Sequence, residues 1–153
     1  MGFPSIFESG TTDRLLDRID SLSPLSPPLW GRMTVSQMLE HCAVAYRPLL
    51  TGRFEKSAPF LKRLFARLFL KRYMVGNRNY GKSLPTAPHF VITGEPEFMR
   101  ARDNLKDLMS QVHGLGPAGF KDFRHPLLGR LTARQWSNML YKHLDHHLRQ
   151  FGV

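Results

Sequence analysis

The sequence predicts an all-α fold, an up-down-up-down bundle of four long helices with an extra short basic helix between the second and third. Three observations carry this. Four long stretches place apolar residues at helical spacing. Two of them open on the same helix-start signal, Gly31-Arg32-Met33-Thr34-Val35-Ser36-Gln37-Met38 and Gly129-Arg130-Leu131-Thr132-Ala133-Arg134-Gln135-Trp136. Alternating strand patterns are almost absent.

The first helix is expected at about 12–22, with Leu15, Leu16, Ile19 and Leu22 inward, ended by Ser23-Pro24-Leu25-Ser26-Pro27-Pro28. The second spans about 35–50, with Met38, Cys42, Ala45 and Leu49 as its stripe and Thr51-Gly52 as its stop. The short helix covers about 59–72. Phe60, Leu61, Leu64, Phe65, Leu68 and Phe69 share one face, and Phe60, Leu64, Phe65 and Leu68 are expected to be mostly buried against the bundle or a dimer partner. Residues 89–92 read as a short extended segment. The third long helix is expected at about 96–112, before a break at Gly114, Gly116, Pro117 and Gly119. The fourth runs from about 133 to 151. Thr34-x-x-Gln37 and Thr132-x-x-Gln135 are capping boxes, in which hydroxyl and amide satisfy orphan backbone donors reciprocally.

At 153 residues, 42% hydrophobic and 22% charged, the chain suits one globular domain and is too apolar for disorder. The lone Cys42 excludes a disulfide scaffold and a cysteine-rich zinc ribbon. The opening MGFPSIFESG has no leader pattern and no run reaches membrane-spanning length, so the expected location is cytoplasmic. The net charge of +10 is concentrated: residues 53–82 carry nine basic residues and one acid. For this segment, packing on its own bundle ranks ahead of an anionic partner, whether nucleic acid or a membrane surface.

Of seven histidines, three fall within five residues, His143-Leu144-Asp145-His146-His147. His143 and His147 are separated by about 40° and about 6 Å of rise, which lets both imidazoles reach one ion. His146 projects elsewhere, and Gln150 lies below His143 two turns on. A third ligand must come from another helix, and His41, at the edge of the second helix's apolar stripe, is the best candidate. Its level along the helix differs from the pair's by roughly 9 Å, which requires stagger or tilt. His125, in a Gly/Pro-flanked segment, is a candidate pocket residue; Cys42 reads as a packed side chain; Glu40 and Asp145 should point away from the site.

His41 in a Thr-x-x-Gln helix, with His143-x-x-His146-His147-x-x-Gln150, resembles the DinB-like superfamily of four-helix bundles that hold a divalent metal on three histidines. The likeness covers most of the chain. Residues 30–42, 125–132 and 142–152 look like an uncharacterised branch of it. The resemblance implies a single domain over 1–153, metal ligands His41, His143 and His147, and His146 and Gln150 nearby without ligating. No clear protein nucleophile or general base is visible in the sequence. Three neutral imidazoles leave a zinc, nickel or ferrous ion its full charge and an open position, the composition of a catalytic site. The expected function is a metal-dependent transferase or hydrolase on a small substrate, with a low-molecular-weight thiol as candidate cosubstrate. A homodimer is compatible with it. The alternative is a non-catalytic metal-binding bundle that holds nucleic acid or membrane through its basic helix.

Overall fold

The computed structural model describes residues 2–153. It is mostly helical: α1 (Ser9–Asp20), α2 (Val35–Thr51), α3 (Phe60–Phe65), a π-helical turn (Ala66–Leu70), α4 (Lys71–Val75), α5 (Phe98–Gly119) and α6 (Ala133–Gln150). The only strands among the described residues are β1 (Arg124–His125) and β2 (Gly129–Arg130), an antiparallel pair joined by a tight turn.

Both capping boxes form. The Thr34 and Thr132 hydroxyls accept from the amides of Gln37 and Gln135 at 3.2 Å, and the glutamine side chains accept from the threonine amides. Gly52 closes α2 in the left-handed region, with φ 67°, as the Thr51-Gly52 stop implied. α5 starts on a side-chain cap from Glu97. The expected break after it sits at Gly116, whose φ of 60° and ψ of 179° interrupt the helix.

α2 packs most extensively on α5, while α6 touches α1, α2, α4 and α5. Between them lies the core, with Ile19, Met38, Leu39, Cys42, Leu105, Val112, Leu140, Leu144 and Leu148 all buried. The N-terminal segment is strapped across it: the Ile6 amide donates to Ser137, and the Ile6 carbonyl accepts from Thr12 and lies 2.9 Å from His113 Nδ1.

Two expectations are corrected. Residues 89 and 90 are not extended, since Pro88–Phe90 is a 3-10 turn, and extended backbone begins only at Val91. Pro88 starts that turn, and the fold places the Phe90 carbonyl against α2. The apolar face of the basic helix is not buried either. Phe60, Leu61, Leu64, Phe65, Leu68 and Phe69 are between 42 and 76% exposed. The physical reason is how residues 60–75 are held. Only small Ala66 is buried in the first two turns. The opposite end is anchored through polar groups: buried Lys142 donates to the Tyr73 and Met74 carbonyls, and Asn138 to the Val75 carbonyl. A cation and an amide thereby satisfy the orphan carbonyls at the C-terminus of α4. The segment is an arm fixed at its root, with its Phe/Leu face outward.

Candidate metal centre

His41 is buried on α2, seven residues past its cap, and His143 and His147 lie one turn apart on α6. Their rings meet despite the difference in level. The His41 centroid lies 5.0 Å from that of His143 and 4.6 Å from that of His147, and the latter two are 4.9 Å apart. One nitrogen from each falls within 4.8 Å of the others, close enough for the three to hold a metal ion. His41 Nε2 and His143 Nε2 are 3.0 Å apart. Two nitrogens bound to one tetrahedral ion at about 2.1 Å stand about 3.4 Å apart, so the His41–His143 pair is near that spacing and any pair approaching 4.8 Å would have to draw in by about 1.4 Å.

The outer nitrogens are committed. His41 Nδ1 lies 2.8 Å from the Phe90 carbonyl, which can only accept, so this nitrogen carries the proton. His147 Nδ1 lies 2.8 Å from Gln150 Oε1, with the same consequence, and Gln150 Nε2 donates to the Trp30 carbonyl at 2.6 Å. Both rings therefore present Nε2 as a lone pair, the tautomer a metal ligand requires.

Electrostatics favour the same state. Burial lowers the pKa of His41, opposed by its bond to Phe90. His143 falls well below the usual imidazole range, through burial first and then the charges of His147, His41 and His146. His147 is lowered to about 3, again by burial first and then by His41, with the Gln150 bond opposing. All three are neutral at pH 7, as ligation demands.

The donor set is all nitrogen. Glu40 pairs with Arg47 at 2.6 Å, and Asp145 with Arg18 at 2.8 Å and Arg149 at 2.9 Å, so both carboxylates are engaged elsewhere, as expected. Cys42 is buried beside Met38 Sδ at 3.8 Å, and burial raises its thiol pKa, leaving it no thiolate character.

The other candidates divide. Gln150 is at the site, orienting His147. His146 is half-buried beside it, its ring 5.0 Å from His147, 5.7 Å from Trp30 and 6.3 Å from Tyr80. His125 is not in the cluster. Its Nδ1 accepts from the Leu127 and Leu128 amides at 3.1 and 3.2 Å, holding the β1–β2 turn, and its ring packs on Trp136.

Three participants escaped sequence reasoning. The Phe90 carbonyl orients His41 and the Trp30 carbonyl holds Gln150, through backbone atoms that no residue type announces. Gly31 is the third: its φ is +83°, and a Cβ there would stand 2.6 Å from Gln150 Nε2. The repeated Gly-Arg-x-Thr start pointed to that residue but not to its purpose.

Fold and site together define a mostly helical protein with a three-histidine cluster at a helix–helix contact, His41 and His147 buried and His143 half-buried. The family model described as "Protein of unknown function (DUF1569)" matches residues 8–152, and the chain belongs to that family. Neither the curated proteins nor the solved structures contain a match.

Proposed function

We propose that the protein is a divalent-metal-dependent enzyme of the DinB-like type, a four-helix bundle whose ion is held by His41, His143 and His147. The supporting observation is the pair of committed Nδ1 positions. With protons fixed toward Phe90 and Gln150, the lone pairs of His41 and His147 turn inward to where His143 Nε2 also lies.

A zinc, nickel or ferrous ion bound there would supply Lewis acidity and an open coordination position. The protein's part is to orient and to exclude. Gln150 and the Phe90 carbonyl keep two rings in the ligating tautomer. Phe90, 5.4 Å from the His41 ring and 5.9 Å from that of His143, shields one side from water. Trp30 and Tyr80 flank His146, and Lys82 stands 4.4 Å above the Trp30 ring. Burial lowers the His146 pKa, so this half-exposed imidazole is neutral and able to accept a proton at its free ring nitrogen. Since both nearby carboxylates are engaged by arginines, His146 is the base we assign. The reaction class is transfer or hydrolysis on a small substrate, with a thiol as candidate cosubstrate. A thiol suits an open position on an ion held by nitrogen alone.

The test is elemental analysis of protein purified without a histidine tag, followed by assays for thiol transfer and hydrolysis with and without the identified metal. One equivalent of metal and metal-dependent turnover are expected. Protein that neither retains nor takes up zinc, nickel or ferrous ion would end the proposal.

A further inference from the structure

The arm of residues 60–75 leaves a surface that the metal site does not use. Phe60, Leu61, Leu64, Phe65, Leu68 and Phe69 span about half the helix circumference at about 100° per residue. All six face outward, each at least 42% exposed. The Phe65 and Phe69 rings lie 4.9 Å apart, so the face is continuous across the π-helical turn. An apolar strip of this kind on an otherwise ordinary surface marks an interaction site.

Charge identifies what covers it. Lys62, Arg63 and Arg67 fall outside the apolar arc, and residues 53–82 carry nine basic residues against Glu55 alone, a net +8. Beside the root of the arm, an open cavity of about 500 Å³ has Lys71, Lys121 and Arg130 as its charged lining and no acid. A second copy docking through the same strip would bring two such segments together, and like charges at close range oppose that. Nucleic acid would satisfy the cations but leave six large apolar side chains facing a phosphate backbone. A bilayer with anionic headgroups satisfies both sets at once. Phe and Leu enter the acyl boundary while the Lys and Arg stems reach up to the phosphates. The described helices hold none long and apolar enough to cross a membrane, so attachment through the arm would lie in the interface plane.

We infer that residues 60–72 form an amphipathic anchor that seats this protein on an anionic lipid surface. The arm's polar attachment through Lys142 and Asn138 leaves the apolar face free for that purpose while the rest of the chain stays folded. This inference does not depend on the metal reading.

The test is flotation of the protein with phosphatidylcholine vesicles with and without phosphatidylserine. Binding to the phosphatidylserine vesicles, released by high salt, is expected. The double variant Phe65→Asp, Leu68→Asp should weaken binding by about tenfold or more. Its melting temperature should be unchanged, because both side chains are exposed. The double variant Lys62→Glu, Arg67→Glu should also bind less, through the charge component alone. No binding by the unaltered protein overturns the inference, as does binding that the Asp variants leave intact. A dimer abolished by the Asp variants, without vesicle binding, would name a second copy as the occupant and likewise overturn it. So would binding to a short RNA that competes vesicles away and survives the Asp substitutions.

Discussion

Gln150 holds two partners at once: Oε1 accepts the Nδ1 proton of His147 at 2.8 Å, and Nε2 donates to the Trp30 carbonyl at 2.6 Å. A side-chain amide anchored at one end to the backbone is a rigid acceptor at the other. It fixes both the tautomer and the plane of the His147 ring. Replacing it with leucine keeps the volume and removes the acceptor. Gln150→Leu should lower metal affinity by about 10- to 100-fold, the usual cost of losing such a partner, read by competition with a chromogenic chelator.

Gly31 stands behind that arrangement. The Leu29 amide donates to the Gln150 carbonyl at 2.7 Å, so the turn at 29–31 wraps the end of α6. An alanine at Gly31 would have to hold φ +83° and place its Cβ against Gln150 Nε2. The backbone strain alone is about 1–2 kcal/mol. Gly31→Ala should therefore lower the melting temperature and also weaken metal binding, although residue 31 is not a ligand. Unchanged metal affinity in a destabilised variant would show that Gln150 does not need its tether.

The histidine cluster was legible because helical spacing is a strong constraint: His143 and His147 must share a face, and a capped α2 fixes the phase of His41. What was not legible involves the backbone or tertiary leverage. The orientation of His41 depends on a carbonyl in the 3-10 turn Pro88–Phe90, where an apolar tetrad looked extended. The arm was misjudged for a different reason. Periodicity reports that a helix has an apolar face, not which neighbour covers it. Here buried Lys142, invisible as an anchor among the residues of α6, attaches the arm by its end. His125 looked like a pocket residue because Gly and Pro flank it, whereas those residues make the turn that its ring caps.

The pH dependence of stability should contain a component from His125. Its pKa is lowered from 6.5 to about 4, by burial first and then by the charge of His89. Between these values the unfolded chain binds a proton that the folded chain refuses, so stability falls as pH drops from about 6.5 toward about 4. The shift corresponds to at most about 3 kcal/mol. Above pH 6.5 both states are neutral at this residue and the component vanishes. In His125→Asn the side-chain oxygen can replace Nδ1 as acceptor for the two amides without titrating. Denaturant midpoints of this variant should be lower than the parent's at pH 7, because the ring contact with Trp136 is lost, but should decline less steeply below pH 6.5. An identical decline would place the acid sensitivity elsewhere.

On the proposed reading, adjacent histidines on α6 divide the work: His147 would hold the ion and His146 would accept the proton. His147 and His146 differ by about 100° around the helix, and only His147 turns into the cluster. His147→Ala removes one of the three proposed ligands while leaving both capping boxes and the apolar stripes in place, so the chain should still fold. At a metal concentration a hundredfold above the dissociation constant, bound ion adds about 2.7 kcal/mol of stability by mass action. The variant should lose that increment together with its metal content and any turnover. His146→Ala should retain metal and its stabilising effect but lose turnover, since the half-buried imidazole beside Trp30 and Tyr80 would no longer accept a proton. Metal content by elemental analysis, melting temperature with and without added ion, and turnover distinguish the two. Metal lost from His146→Ala but kept by His147→Ala would invert the ligand assignment. Turnover that survives loss of the ion would separate the chemistry from the histidine cluster altogether.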